Sequence, residues 1–229
     1  MFSYPLYNDP RVLTFYDNIN LQRILDYDQI SSLTTSTAKT LVIGSNNNVF
    51  VDSLKKNFSE ITVLQEIGGL IDQTEKFSSI IFSDFYFMNI LDSEDQREIL
   101  NMLLERLDTN GEIVFNLELF KGDKFLDDPS VNSFVGQIEI NGEIFMLFNR
   151  QEYDYFSQIL YQNCTLEILN LSGELTNTLK FEQELRYTFL AEIKHLFELC
   201  GLEIKQIYSS FDKSQLLEIS DEAVFILRK

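Results

Sequence analysis

The sequence predicts an α/β domain on a doubly wound, mostly parallel sheet, interrupted by a mostly antiparallel β insertion. Three observations predict it. Short aliphatic runs alternate with segments of helical period between Thr40 and Leu117, the pattern of a parallel sheet with crossover helices. The run Thr40-Leu41-Val42-Ile43 ends in Gly44, and a buried strand ending in glycine is how such a sheet presents its ligand edge. After residue 120 the pattern changes to alternation about Asn141-Gly142, and it returns near residue 187. The core is therefore read as 1–120 with 187–229, and the insertion as 121–186, a lid or a dimer surface.

Bulk properties narrow the function. The 229 residues suffice for one sizeable domain or a core with a small subdomain. A hydrophobic content of 45% argues against disorder. No apolar run approaches the roughly 18 residues of a membrane span. The first ten residues lack the basic and apolar regions of a secretory signal. A cytoplasmic protein without a membrane partner is expected. The net charge of -18 repels phosphate backbones, so nucleic acid is a poor partner and a cationic or neutral small substrate a better one. Cys164 and Cys200 have no metal-binding spacing, and His195 is the only histidine. No metal site is therefore expected.

In chain order, Val12, Phe15, Ile19, Leu21, Leu25 and Ile30 are spaced for one or two N-terminal helices on a core. Leu41–Ile43 is the first strand, Val49–Phe58 a helix, Ile61–Leu64 the second strand and Ser79–Phe82 the third. Ser93-Glu94-Asp95-Gln96 reads as a capping box opening a helix through Leu107. Asp108–Gly111 reads as a turn before the strand Glu112–Leu117. In the insertion, Ile138–Phe145 forms a hairpin at Asn-Gly, with further extended pieces near 158–161, 166–171 and 178–181. Thr188 is placed to cap a helix whose apolar face is Leu190, Ile193, Leu196, Phe197 and Cys200, ended by Gly201. Leu202–Ile207 and Ala223–Leu227 close the sheet.

The order of these parts resembles the class I S-adenosylmethionine-dependent methyltransferases of small-molecule type. Residues 186–212, R-Y-T-F-L-A-E-I-K-H-L-F-E-L-C-G-L-E-I-K-Q-I-Y-S-S-F-D, are similar to that family's C-terminal helix, strand and loop. A-V-F-I-L-R-K (223–229) resembles its antiparallel last strand. E-R-L-D-T-N-G-E-I-V-F (105–115), F-S-S-I-I-F-S (77–83) and Tyr16-Asp17 resemble other family elements. The insertion resembles the antiparallel lid of glycine, sarcosine and amino-sugar N-methyltransferases. The resemblance implies a Rossmann-like methyltransferase sheet and S-adenosylmethionine as cofactor.

The resemblance also implies a site. The family's glycine-rich turn falls on Gly44, Ser45, Asn46 and Asn48, with asparagine where the later glycines stand and Val42 where an acid stands. Asparagine tolerates left-handed backbone, but its side chain crowds a close ligand. Glu66 follows Gly44 by 22 residues (66 − 44), near the spacing of a ribose-binding acid. It is either that acid or an ordinary surface glutamate. Only 14 residues link Glu66 to Ile80 (80 − 66), too few for the helix and strand usual there. Either the sheet edge is trimmed, or Leu70-Ile71-Asp72 is a remnant strand.

Ser83, Asp84 and Phe85 fall on the rim that faces the reacting methyl. Asp84 either orients an amine or caps the sheet end. Tyr16 covers the cofactor, contacts substrate or packs the N-terminus. Arg186 and Tyr187 line the cleft or fix the lid junction. His195 is given a structural role. Methyl transfer needs alignment more than covalent help, and no catalytic residue is assigned. Two functions stand. One is a methyltransferase acting on an amine or hydroxyl of a small molecule. The other is an inactive protein of the same fold that binds or dimerises through residues 121–186.

Overall fold

The computed structural model describes residues 9–20, 24–44, 48–83, 85–121 and 128–229. The sequence readings at Leu21, Ser45, Asn46 and Asp84 lie outside them. Two sheets form. The larger takes β1 (Lys39–Ile43), β2 (Glu60–Leu64), β3 (Phe77–Phe82), β4 (Leu107–Glu118), β9 (Glu203–Tyr208) and β10 (Glu222–Arg228), in the order β2-β1-β3-β4-β10-β9. β1 is parallel to β2 and β3, and β3 to β4. The final strand β10 runs antiparallel to both β4 and β9.

The aliphatic runs form this sheet because both its faces are covered, so neither side chain of an alternating pair needs to be polar. Leu41, Ile43, Ile80, Phe82, Ile113, Phe115, Phe225 and Leu227 enter one apolar layer. Val42, Ile81, Val114, Val224 and Ile226 enter the other, with Tyr27, Phe50 and Leu54. The period of two is the pleat itself. Helices α4 (Ser93–Arg106) and α5 (Leu190–Leu199) place Leu100, Leu103, Ile193 and Phe197 in the first layer. Helices α2 (Ile24–Asp28) and α3 (Asn48–Lys55) flank the second. In the first layer Phe115 stacks on Phe87 and Phe225, with ring centroids 5.0 and 5.6 Å apart.

The smaller sheet is the insertion: β5 (Ser133–Ile140), β6 (Glu143–Asp154), β7 (Ile159–Asn170) and β8 (Leu175–Arg186), an antiparallel meander. Asn141 and Gly142 turn the first hairpin with φ of 52° and 82°, the left-handed pair a two-residue hairpin loop requires. The short extended pieces expected in the insertion are two strands of 12 residues each, β7 and β8. Helix α1 (Pro10–Asn20) packs on a core, as expected, and that core is largely the insertion's. Its Val12, Phe15, Tyr16 and Ile19 close an apolar layer with Phe145, Leu147, Cys164, Leu166, Ile168 and Phe181 of the lid.

Three local readings are corrected. The cap of α4 is Asp92, whose carboxylate accepts from the Glu94 and Asp95 amides. Gln96 turns away from Ser93 and donates to the Ile90 carbonyl. Asp108–Gly111 is a bulge inside β4, because Phe77 pairs with Leu107 and Ser79 already pairs with Glu112. The cap of α5 is Phe189, without a side-chain bond, while Thr188 is buried. Between β2 and β3 the chain makes only a 3-10 turn, Ile67–Leu70. Leu70 is buried and Ile71 exposed. The trimmed edge is the alternative that holds: among the described residues β2 ends the sheet.

Candidate functional site at the switch point of the main sheet

The order of the parallel strands reverses between β1 and β3, and open α/β sheets bind ligands in the crevice beyond the strand ends at that point. Gly44 stands there with φ 81°, a conformation that costs any side-chain-bearing residue. Its amide donates to the Leu64 carbonyl at 2.8 Å. Its carbonyl accepts from the buried Ser83 Oγ at 2.7 Å, and the Ser83 amide donates to Ile43 at 2.9 Å. Ser83 thus latches the end of β3 to the turn after β1. Asn48 opens α3 just beyond.

The chain leaves β3 through a held turn. Phe85 has φ 56°, left-handed for an aromatic residue. Its amide donates to Asn116 Oδ1 at 3.0 Å, and Asn116 Nδ2 donates to Glu222 Oε1 at 2.6 Å. Asn116 is fully buried in β4, where an unpaired amide would be costly. It has its partners in that turn and in β10. Phe85 itself is buried in the main core. A 3-10 turn, Tyr86–Asn89, follows.

Tyr86 lies over Gly44. A Cβ placed on Gly44 would come within 2.0 Å of Tyr86 Cγ. The Tyr86 hydroxyl accepts from the Ile67 amide at 3.2 Å. Burial raises its pKa above the ordinary phenol value; the Ile67 bond lowers it and the Glu66 charge raises it further. Glu66, two residues beyond the end of β2, is extended with its side chain exposed. Beside Ile67 a groove of about 470 Å³ runs along Ile99 and Met102 of α4, with Asp92 and Asp95 at its rim.

On the lid side, Phe120 stacks on Tyr187 at 4.2 Å, with Tyr153 and Phe189 each at 5.3 Å. A cavity of about 10 Å³ between them and Met88 is lined by Glu118, no larger than one water requires. Arg186 is buried and donates to the carbonyls of Leu91 and Ser157, to Gln158 and to Glu192. This geometry fits the junction reading of Arg186, since its guanidinium fastens β8 to α5 and to the loop before α4. Tyr16 is 4% exposed beneath the lid, and burial pushes its hydroxyl pKa well up. A larger cavity, about 620 Å³, lies on the lid strands beside Arg150, Lys180 and Glu182; Gly44, Glu66 and Ser83 do not line it.

The structure therefore brings Gly44, Glu66, Ser83 and Phe85 to one edge, and sets Tyr16 on α1 against the insertion and Arg186 at the end of β8, where the insertion rejoins the core. Sequence reasoning missed Tyr86, Asn116 and the Phe120–Tyr187 stack. An aromatic residue three positions after Ser83 carries no motif, and Asn116 reads as an ordinary strand residue. Both cysteines are free and buried, and burial raises the Cys164 pKa to about 12. His195 sits on the exposed side of α5, near Glu198. Among the described residues no three metal-ligating side chains cluster, and no helix is long and apolar enough to cross a membrane.

For an S-adenosylmethionine cofactor, the backbone frame fits: a left-handed Gly44 latched by Ser83, and an exposed acid just beyond the end of β2. The Tyr86 ring does not fit in its present position, since it covers the glycine face a ligand would approach.

Compared by sequence, the chain matches no protein-family model and no curated protein. Compared by structure, it is similar to many solved chains. An S-adenosylmethionine-dependent methyltransferase from Clostridium acetobutylicum superposes with a TM-score of 0.71 at 11% identity, over 93% of this chain and 97% of that one. DesVI of Streptomyces venezuelae superposes with a TM-score of 0.73 at 13% identity, over 97% and 99%. CalS10, an amino pentose methyltransferase from Micromonospora echinaspora solved with S-adenosylmethionine bound, gives 0.69 at 10% identity, over 98% of each chain. The latched switch-point turn, the antiparallel closing strand and the meander lid are thus parts of one architecture, and the fold of this chain is that of the class I S-adenosylmethionine-dependent methyltransferases.

Proposed function

We propose that the protein is an S-adenosylmethionine-dependent methyltransferase acting on an amine or hydroxyl of a small molecule. The observation that carries this reading is the Gly44 turn, held left-handed at the switch point by Ser83, with Glu66 just beyond the adjacent strand end. The cofactor would supply a methyl already activated on a sulfonium. The chain's own part is to bind and align. Glu66 would accept from ribose hydroxyls. The Gly44 turn would offer backbone to the aminoacyl end, and Ser83 would stand at the methyl rim. Phe85 supports that rim from the core. The acceptor would approach from the side of the methyl rim, with Tyr16 and Arg186 holding the insertion in place rather than taking part in the chemistry. A homodimer formed through residues 121–186 belongs to the same reading: β5 is an open edge of the lid, and Phe134 on it is exposed.

A second reading, an inactive binding or dimerisation protein, is favoured by specific observations. Val42, where the resemblance places an acid, is fully buried among Phe50 and Ile81. The sheet edge beyond β2 is trimmed, and the Tyr86 ring stands over Gly44. Calorimetric titration of the folded, ligand-free chain with S-adenosylmethionine and S-adenosylhomocysteine separates the two. Saturable binding supports the methyltransferase and opens a screen of amine and hydroxyl acceptors. Absence of heat with both ligands supports the second reading.

A further inference from the structure

One side chain stands across the cleft that the proposed function requires. Three atoms of the Tyr86 ring lie within 2.0–2.5 Å of where a Gly44 Cβ would be, so the ring rests directly on the open face of that residue. From there the hydroxyl reaches the end of β2 and takes the Ile67 amide at 3.2 Å, next to Glu66. Tyr86 therefore spans the two points a ribose-bearing aminoacyl ligand must touch.

The backbone aims the ring there. Ser83 latches to Gly44, Asn116 holds the left-handed Phe85, and the Tyr86 amide donates to the Ser83 carbonyl at 3.0 Å. The side chain lies against the main core, but its hold there is partial. It is half-buried, its hydroxyl bond is at the long limit for a hydrogen bond, and its nearest core aromatic, Phe82, is 6.5 Å away by ring centroid. Rotation about the side-chain bonds would uncover Gly44 and release the Ile67 amide without disturbing β3.

We propose that Tyr86 is a displaceable plug of the cofactor cleft, which the ligand must drive aside to reach Gly44 and Glu66. The inference rests on the methyltransferase reading. Its consequence is thermodynamic: apparent affinity falls by the fraction of time the cleft is open, so a cleft open one-tenth of the time binds about tenfold more weakly.

The test is calorimetric titration of S-adenosylhomocysteine into the full chain and into Tyr86→Ala and Tyr86→Phe, with folding of each checked by circular dichroism. Y86A is expected to bind roughly tenfold tighter than the parent. Y86F, which keeps the ring and loses the Ile67 bond, should fall between them. Binding by Y86A where the parent is silent also supports the plug. If the parent binds and Y86A binds no tighter, the plug is overturned and the methyltransferase reading survives. If no variant binds, both fall. Should Y86A fail to fold, Y86F decides: tighter binding supports the plug, and unchanged or weaker binding overturns it.

Discussion

The two halves of the main sheet are built to different tolerances. The half made of β4, β10, β9 and α5 is over-determined. Phe115 alone touches the rings of Phe82, Phe87, Phe197 and Phe225, and each strand feeds both apolar layers. The crevice beyond β1 and β2 depends on single groups: one glycine, one serine latch, one tyrosine ring, one exposed acid. Many weak contacts define a scaffold, and losing one leaves it standing. A ligand edge rests on a few placements that nothing else restores.

The comparison breaks most visibly in the scaffold half. Phe115→Ala should cost about 3–5 kcal/mol, a large part of the ~5–15 kcal/mol typical of a folded domain; urea unfolding would show it as a lowered midpoint. In the ligand half the sharpest case is Gly44→Ala. It combines a left-handed backbone, ~1–2 kcal/mol, with a methyl driven into the Tyr86 ring, ~1–3 kcal/mol, for a loss of about 2–5 kcal/mol in the same assay. In a Tyr86→Ala background the second part should vanish, and an undiminished loss would show that the ring is not what Gly44 accommodates.

Glu66→Ala inverts the pattern. The side chain is exposed, so the melting temperature of the ligand-free protein should barely move, within about 0.5 kcal/mol. Affinity for S-adenosylhomocysteine should fall by about tenfold or more, as expected for a charged hydrogen bond; unchanged affinity by calorimetry would return Glu66 to the ordinary surface. The smallest effect is a silence. Burial raises the pKa of both Cys164 and Cys200, so at pH 8 both native thiols stay protonated and should not react with a thiol reagent. Two thiols should then titrate in denaturant, and fast labelling of the native chain would contradict the burial of Cys164 in the insertion's apolar layer and of Cys200 at the end of α5.

The scaffold was legible because its signal repeats. The Thr40–Ile43 run, the Ser79–Phe82 run and the closing strand each announce a buried strand, and Asn141-Gly142 announces its own hairpin by the backbone it permits. Local punctuation was read less well. Ser93 and Thr188 are good capping residues, yet Asp92 and Phe189 take those positions, because where the chain leaves the sheet decides where each helix begins. Asp108–Gly111 carries turn composition but is absorbed as a bulge, since β3 and β4 continue to pair on either side of it. At the candidate site, Gly44 and Glu66 were proposed from spacing along one chain. Tyr86 and Asn116 were not, because their roles exist only across strands.

The sequence by itself determined the alternation of strands and helices, the interrupted core with its antiparallel insertion, and the position of the ligand edge, because hydrophobic period and turn chemistry are local properties. Only the tertiary structure decided that among the described residues the sheet stops at β2, that α1 closes the apolar layer of the insertion, that Arg186 ties β8 to α5, and that a tyrosine ring covers the glycine of the switch point. Each of those depends on residues far apart in the chain meeting in space, and packing alone chooses among the partners the sequence allows.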